Sequence, residues 1–255
     1  MKNRVVIDIG NTRISTGVFV EGKLVDLAHH LLSNTQSAAD YVMQKADAVA
    51  AQQIALCSVA PSIARLIVEI LQSQNRPLLQ VSEESQTLIS DTYSSLGADR
   101  IANMAGAWKL YAQTGPVIVM DFGSATTLSA VSQEGKFLGG LITLGLTNTF
   151  HSLHENTEQL PDLSPYVNAR PINPLAFDTP GAIASGCILA HVGLIEHWIK
   201  VAKDQLGENA TVIATGGCAT TLAPLTQALD RVDPDLTIYG INFIAEAAEG
   251  PKDRC

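Results

Sequence analysis

Basic residues are scarce in this chain of 255 residues: 16 Lys and Arg stand against 25 Asp and Glu, a formal charge of −9. That balance argues against nucleic acid as the main partner, because phosphate backbones attract Lys and Arg. It leaves room for an anionic ligand, since a single turn can bind phosphate through its backbone N–H groups. Cysteines are few as well. Cys57, Cys187, Cys218 and Cys255 show no paired spacing, which argues against a disulfide frame or a zinc site and for reduced thiols. No apolar run approaches the length of a transmembrane helix. The N-terminus passes from Met1, Lys2, Asn3 and Arg4 straight into a strand ending at Asp8. It lacks the longer apolar region and small-residue cleavage site of a signal peptide. These absences lead to the expectation of a soluble cytoplasmic protein with no membrane or nucleic-acid partner. The chain is 46% hydrophobic and 16% charged, ample for a packed core as one large domain or two small ones.

What is present centres on residues 117–131, VIVMDFGSATTLSAV. An apolar run ends at Asp121, a glycine turn follows, then the hydroxyls of Ser124, Thr126 and Thr127, then a second apolar run. The pattern predicts strand, tight turn, strand. The turn gathers one carboxylate, several hydroxyls and backbone N–H groups, a set that suits a phosphate with its metal ion. Taken alone, the stretch fits an ordinary polar hairpin equally well. It is not alone. Residues 8–24 read DIGNTRISTGVFVEGKL and residues 121–137 read DFGSATTLSAVSQEGKF. Without a gap, Asp8 matches Asp121, Gly10 matches Gly123, and Glu21, Gly22 and Lys23 match Glu134, Gly135 and Lys136. An offset of this size is too long for a solenoid unit and suits a small domain. It predicts two related halves, each opening with a β-meander whose first turn carries an aspartate. Two such turns facing each other across a cleft would hold a nucleoside triphosphate.

The remaining pattern alternates strands and helices. Strands are expected at 5–9, 14–20 and 24–32, then a helix over 37–53, with Ala38, Tyr41, Val42 and Ala46 on one face. A strand at 54–59 leads to a helix over 63–74, Pro61 near its first turn and Ile63, Leu66, Ile67 and Ile70 inward. With a strand at 77–81 this reads as a βαβ element of an α/β fold. Residues 82–96 are polar and irregular. A helix over 101–112 puts Asp99 and Arg100 at its N-terminal end, where an aspartate also serves as an ordinary cap. Gln113, Thr114, Gly115 and Pro116 mark the domain boundary, giving domains 1–115 and 116–255. The double glycine Gly139 and Gly140 suggests close backbone approach. A helix over 147–160 carries His151, His154 and Glu155, whose spacing superficially suggests a metal site but is not a zincin pattern. A proline-rich loop at 161–180 precedes a long helix over 181–203 rich in small residues. A strand at 211–214 ends in the glycine turn Thr215, Gly216, Gly217, which lets a flat ring approach the backbone. A helix over 222–229, a strand at 236–239 and a helix over 243–248 close the chain.

The ordered set of motifs resembles the type III pantothenate kinases of the acetate and sugar kinase, Hsp70 and actin superfamily. DIGNT at 8–12, CSVAP at 57–61, the segment from Tyr93 through LGADR to Arg100, DFGSATT at 121–127, LGGLI at 138–142, TPGAIASG at 179–186 and ATGG at 214–217 occur in order over nearly the whole length. The resemblance implies an α/β fold of duplicated actin-like (ribonuclease H-like) ATPase domains with a central cleft. It implies a homodimer whose active site lies at the subunit interface. It also implies ATP-dependent phosphorylation of pantothenate to 4'-phosphopantothenate, the first step toward coenzyme A. Carried over by residue, Asp8, Gly10, Asn11 and Thr12 look like the phosphate site, with Asp8 on magnesium. Tyr93, Gly97, Ala98, Asp99, Arg100 and Thr179 look like pantothenate contacts, with Asp99 the general base. Asp121 looks like the ligand of a monovalent cation, potassium or ammonium, and Ser124 like an ATP contact. Two residues depart from the family pattern: Ser124 replaces a threonine, and Leu144 replaces a proline before Gly145. Asp99 lies beside Arg100 at a helix start, and both features are expected to favour its ionised form. The alternatives are a superfamily kinase or phosphatase acting on another substrate, and a non-catalytic regulatory relative.

Overall fold

In a computed structural model that describes residues 2–31, 35–73, 77–167 and 173–249, each repeat builds a five-stranded mixed sheet. The first opens with β1 (Arg4–Ile9), β2 (Arg13–Val20) and β3 (Lys23–Leu31), an antiparallel meander. After α1 (Thr35–Ala48) come β4 (Gln53–Ser58), α2 (Pro61–Ser73) and β5 (Leu78–Gln80), with β4 parallel to both β1 and β5. After α3 (Ala98–Tyr111), the second repeat runs β6 (Val117–Phe122), β7 (Ala125–Val131) and β8 (Phe137–Leu144). It continues with α4 (Leu146–Glu155), α5 (Thr179–Leu206), β9 (Thr211–Thr215), α6 (Ala219–Leu222) and β10 (Arg231–Val232). The sheet orders, β3-β2-β1-β4-β5 and β8-β7-β6-β9-β10, are the same topology. Central β1 and β6 are buried on both faces, which is why they read as continuous apolar runs; edge strand β3 is not and reads as mixed. The expected ends Leu32 and Gln74, residues 168–172 of the proline-rich loop, and Cys255 lie outside the described residues.

The duplication holds, but the gapless match does not. Four residues, Gly10 to Arg13, separate the last paired residues Ile9 and Ile14 of the first hairpin. Only three, Gly123 to Ala125, separate Phe122 and Thr126 in the second. The turn bonds agree: Gly10 N–H donates to the Arg13 carbonyl at 3.0 Å, Gly123 N–H to that of Ala125 at 3.1 Å. The lost residue is regained by the next turn, since Gly22 lies seven positions beyond Ser15 and Gly135 eight positions beyond Thr127. Gly22 (φ 80°) and Gly135 (φ 84°) keep the same left-handed conformation. Structurally, then, Ser15 corresponds to Thr127 and not to Leu128.

The chain divides into two compact units, one of residues 1–110, 135–137 and 235–255, the other of residues 111–134 and 138–234. In the first unit α1 and α2 cover one face of the sheet, packing on Val5, Ile7, Ile9, Ile54 and Leu56. The other face is covered by α7 (Leu236–Ala248), which packs on β1, β2 and β4. The expected boundary at 115 and 116 put this helix with the second half. Arg4, 1% exposed, ties it to β1: its guanidinium donates to Asn242 Oδ1 at 2.7 Å and Glu249 Oε1 at 2.8 Å. In the second unit α4 and α5 build the core with Ile118, Met120, Phe122 and Leu128.

Several expectations are corrected. Residues 236–239 are helical: Thr, Ile and Tyr favour strands locally, but the segment is buried nearly all round, as a helix between other elements is. The close crossing requires glycine, since a Cβ on Gly240 would overlap the Ala102 carbonyl of α3. The helix expected at 222–229 is only α6 and a 3₁₀ turn at Ala223–Leu225, because Pro224 cannot donate to a continuing ladder. Helix α4 stops at Glu155, where the Asn156 amide turns back to the Ser152 carbonyl at 2.9 Å. On α2, Leu66 is 44% exposed, while Ile67 and Leu71 are fully buried, so the apolar face is rotated from the expected one. Finally, α5 is long and apolar enough to cross a membrane, with a mean hydropathy of 1.4, against the expectation that no run is. Half of its most apolar stretch is buried within the protein.

Candidate active site

Asp8 is the penultimate residue of β1, and the register across the first sheet aligns Cys57, Asp8, Ser15 and His29 in one row. Paired residues share a face, so these four point to the side covered by α7. The Ser15 hydroxyl is buried and lies 3.1 Å from His29 Nδ1. Beyond Asp8 the backbone turns through Gly10, and Asn11, Thr12 and Arg13 are exposed.

Gly97, Ala98, Asp99 and Arg100 enter α3. The Gly97 carbonyl accepts the Ile101 N–H at 3.1 Å, and Asp99 Oδ1 accepts the Arg100 N–H at 2.7 Å. A Cβ on Gly97 would lie 2.6 Å from that oxygen, so glycine leaves room for the carboxylate. Burial pushes the Asp99 carboxyl above its ordinary value of 3.8, against the Arg100 N–H bond and the Arg100 charge. This corrects the expectation that Arg100 and the helix end keep it low: desolvation outweighs both. The consequence is a more basic carboxylate. Arg100 is buried, and its Nη1 donates to the Tyr93 hydroxyl at 3.2 Å. The Tyr93 ring meets Phe137 at 6.0 Å. The buried Cys57 thiol lies well above its ordinary pKa, first through burial, then through the charges of Asp8 and Asp99. Asp8 is also the strand-register neighbour of Cys57, so Cys57 feels both carboxylates.

In the second unit Asp121 occupies the matching place on β6. Its register partners are Thr127 on β7 and Thr215 on β9, both buried. Gly216 (φ 90°) presses so closely on Asp121 and Phe122 that a Cβ would overlap them. This is what the ATGG motif achieves: a strand end seated directly on the aspartate. Ser124 is held from behind, its carbonyl accepting the Gly145 N–H at 3.0 Å and Asn148 Nδ2 at 2.9 Å. Thr179 is exposed in the first turn of α5, which Asp178 caps through the Gly181 N–H at 2.7 Å.

Some participants were not legible. Ser15 and Asn148 carry no motif signal beyond a hydroxyl or amide; Thr127 and Thr215 stand inside DFGSATT and ATGG, but only strand register shows that they flank Asp121. Cys57 was visible within CSVAP but not as the neighbour of two carboxylates. Among the described residues, no group of three or more His, Cys, Asp or Glu converges on a metal site. His151 turns to Glu155 at 3.1 Å and Asp162 at 3.5 Å, while His154 bonds the Leu160 carbonyl. A cavity of about 380 Å³ opens beside α2 and β5, lined by Ser58, Arg65 and Gln80 among others and by none of the expected site residues.

Two sheets of one topology, each with an aspartate at the end of its first strand, define an actin-like ATPase fold. The chain matches the ATP-glucomannokinase of Arthrobacter with a TM-score of 0.54 at 15% identity, over 98% of this chain and 100% of that one. A Campylobacter jejuni protein assigned to the Baf family of transcriptional activators matches with a TM-score of 0.64 at 19% identity, over 97% and 100%. At such identities the likeness concerns the fold. The chain belongs to the type III pantothenate kinase family, whose model matches residues 4–201. The type III pantothenate kinase of Dehalococcoides mccartyi strain CBDB1 is 32% identical over 253 residues, 94% of each chain.

Proposed function

We propose that Asp99 is the general base, and Arg100 with Tyr93 the carboxylate clamp, of an ATP-dependent pantothenate kinase. Membership of the family makes the chain an enzyme that phosphorylates pantothenate in coenzyme A biosynthesis. The observation that carries the finer reading is the partly buried Asp99 carboxyl, raised above its ordinary value beside a buried arginine. In the reaction the primary hydroxyl oxygen of pantothenate forms a bond to the γ-phosphorus of ATP. The bond to the β–γ bridging oxygen breaks, ADP leaves, and the hydroxyl proton passes to Asp99. A loose transition state needs little covalent help, so positioning and charge dominate. A raised carboxylate pKa makes Asp99 a better proton acceptor than an ordinary aspartate. The planar Arg100 guanidinium, steadied by the Tyr93 hydroxyl, suits the carboxylate end of pantothenate. Gly97 and Ala98 supply backbone beside the reacting hydroxyl, and Thr179 a further hydroxyl contact.

Asp8, with Gly10, Asn11 and Thr12, binds phosphate, and Ser124 contacts ATP. The donor sets fit hard cations, which take oxygen ligands. Asp8 with the exposed turn after it would hold magnesium, and Asp121 between the hydroxyl-bearing Thr127 and Thr215 would hold potassium or ammonium. These ions supply charge neutralisation on the phosphate oxygens when bound. A second copy of the chain is the expected partner. Leu141 (39%) and Ile142 (61%) on edge strand β8 and Leu189 (41%) on α5 are exposed apolar side chains that a homodimer would cover. The deciding experiment is a coupled assay of ADP release from ATP with and without pantothenate. Pantothenate-dependent release of ADP is expected. Release that ignores pantothenate but follows a sugar or another alcohol would overturn the assignment, as would no turnover by a folded protein.

A further inference from the structure

Both ring nitrogens of His191, on α5, face carbonyl oxygens: Nδ1 lies 3.2 Å from that of Cys187, and Nε2 lies 3.3 Å from that of Leu144. The ring is 5% exposed. Burial holds it below the ordinary histidine pKa, against the opposing pull of the two carbonyls. At neutral pH it is the uncharged imidazole, with one N–H for two acceptors. The Cys187 carbonyl lies one turn back along the helix, where the main-chain ladder already gives it the His191 N–H. The Leu144 carbonyl ends an edge strand. The single ring proton therefore has more to gain at Nε2.

Leu144 leads directly into Gly145, which lies so close to the β6–β7 turn that a Cβ would overlap the Gly123 and Ser124 carbonyls. The Gly145 N–H and the Asn148 amide both donate to the Ser124 carbonyl. The chain of contacts is thus His191 to Leu144, Leu144 to Gly145, and Gly145 to Ser124, each step through backbone or a buried ring. We infer that His191 is a positioning residue for the nucleotide-contacting turn, its Nε2–H fixing the Leu144–Gly145 corner against which Ser124 is seated. The inference rests on the role proposed above for Ser124 toward ATP.

The test uses the full-length protein with His191→Phe, which fills the space without a donor, His191→Asn, a donor too short to reach Leu144, and His191→Gln, whose amide reaches as far as Nε2. Two readouts are taken: hydrogen exchange at the Gly145 amide, and KM for ATP alongside kcat. The Phe and Asn variants should exchange Gly145 faster and raise KM for ATP about 2- to 10-fold, the net worth of one hydrogen bond, with kcat within about twofold. The Gln variant should restore both. If the Phe variant does not fold, the Asn and Gln pair decides. Lowered thermal stability with Gly145 exchange and KM at wild-type values would leave His191 a packing residue and overturn the inference. Ser124→Ala separates the two readings. If it leaves KM for ATP unchanged while Gly145 still exchanges fast in the Asn variant, the ATP role of Ser124 is wrong and the fastening of the corner stands.

Discussion

Replacing Asp99 by asparagine removes a charge and leaves nearly every contact. Oδ1 still accepts the Arg100 N–H now made at 2.7 Å, and Gly97 still leaves room for the side chain. The fold should therefore survive, and the Arg100 to Tyr93 contact with it. Turnover should fall by roughly 10²–10⁴, the usual worth of a positioned general base, which corresponds to about 3–5.5 kcal/mol of barrier. KM for pantothenate should change little, because the clamp is intact. Stability should move the other way. The folded-state pKa of Asp99 lies above its unfolded value of 3.8, so the folded protein binds this proton more readily. Stability from that preference is fully present below the unfolded pKa and is lost as pH rises through the folded one. Above the folded-state pKa the wild type bears the charge in its desolvated place and Asp99→Asn does not, so the variant should melt higher there. The difference should vanish below about pH 3.8. In wild-type kcat/KM the acid limb should lie above the ordinary aspartate value of 3.8, and the residual activity of Asp99→Asn should lack that limb. Pantothenate-dependent ADP release against pH, with thermal melts at the same pH values, makes both measurements. Turnover near wild type would refute the reasoning, leaving Asp99 a helix-start residue and the base elsewhere.

Other outcomes follow from the same geometry. Arg100→Ala should raise KM for pantothenate more than it lowers kcat; equal KM values would remove Arg100 from the substrate. Asp121→Asn should lose activity while keeping its melting temperature, and the wild type should need potassium or ammonium besides magnesium. Equal rates in sodium-only and potassium buffers would count against that cation role. Gly240→Ala should destabilise the first unit by about 1–3 kcal/mol, because its Cβ meets the Ala102 carbonyl where α7 crosses α3. Chemical denaturation would measure this, and an unchanged midpoint would mean that the crossing relaxes freely. Light scattering of the dilute protein should give twice the chain mass, and an active monomer would contradict the homodimer.

Much of the architecture is written in local patterns. Strands β1, β2, β6 and β7 are legible because apolar runs bounded by a glycine turn have few alternatives. The duplicated motif by itself implies a repeated sheet. Asp8, Asp99 and Asp121 stand out because each carboxylate sits beside glycine in a turn or at a helix start. Tertiary structure decided what local pattern could not express. The hairpin register differs by one residue between the repeats because turn length, and not sequence identity, sets which residues pair. That difference puts Ser15 and Thr127, and not Leu128, opposite the aspartates. Residues 236–239 are helical because their burial against the first sheet outweighs a local strand preference. The Asp99 carboxyl is raised and not lowered because desolvation depends on everything packed around it. The neighbouring Arg100 and the helix start are all that the sequence itself displays.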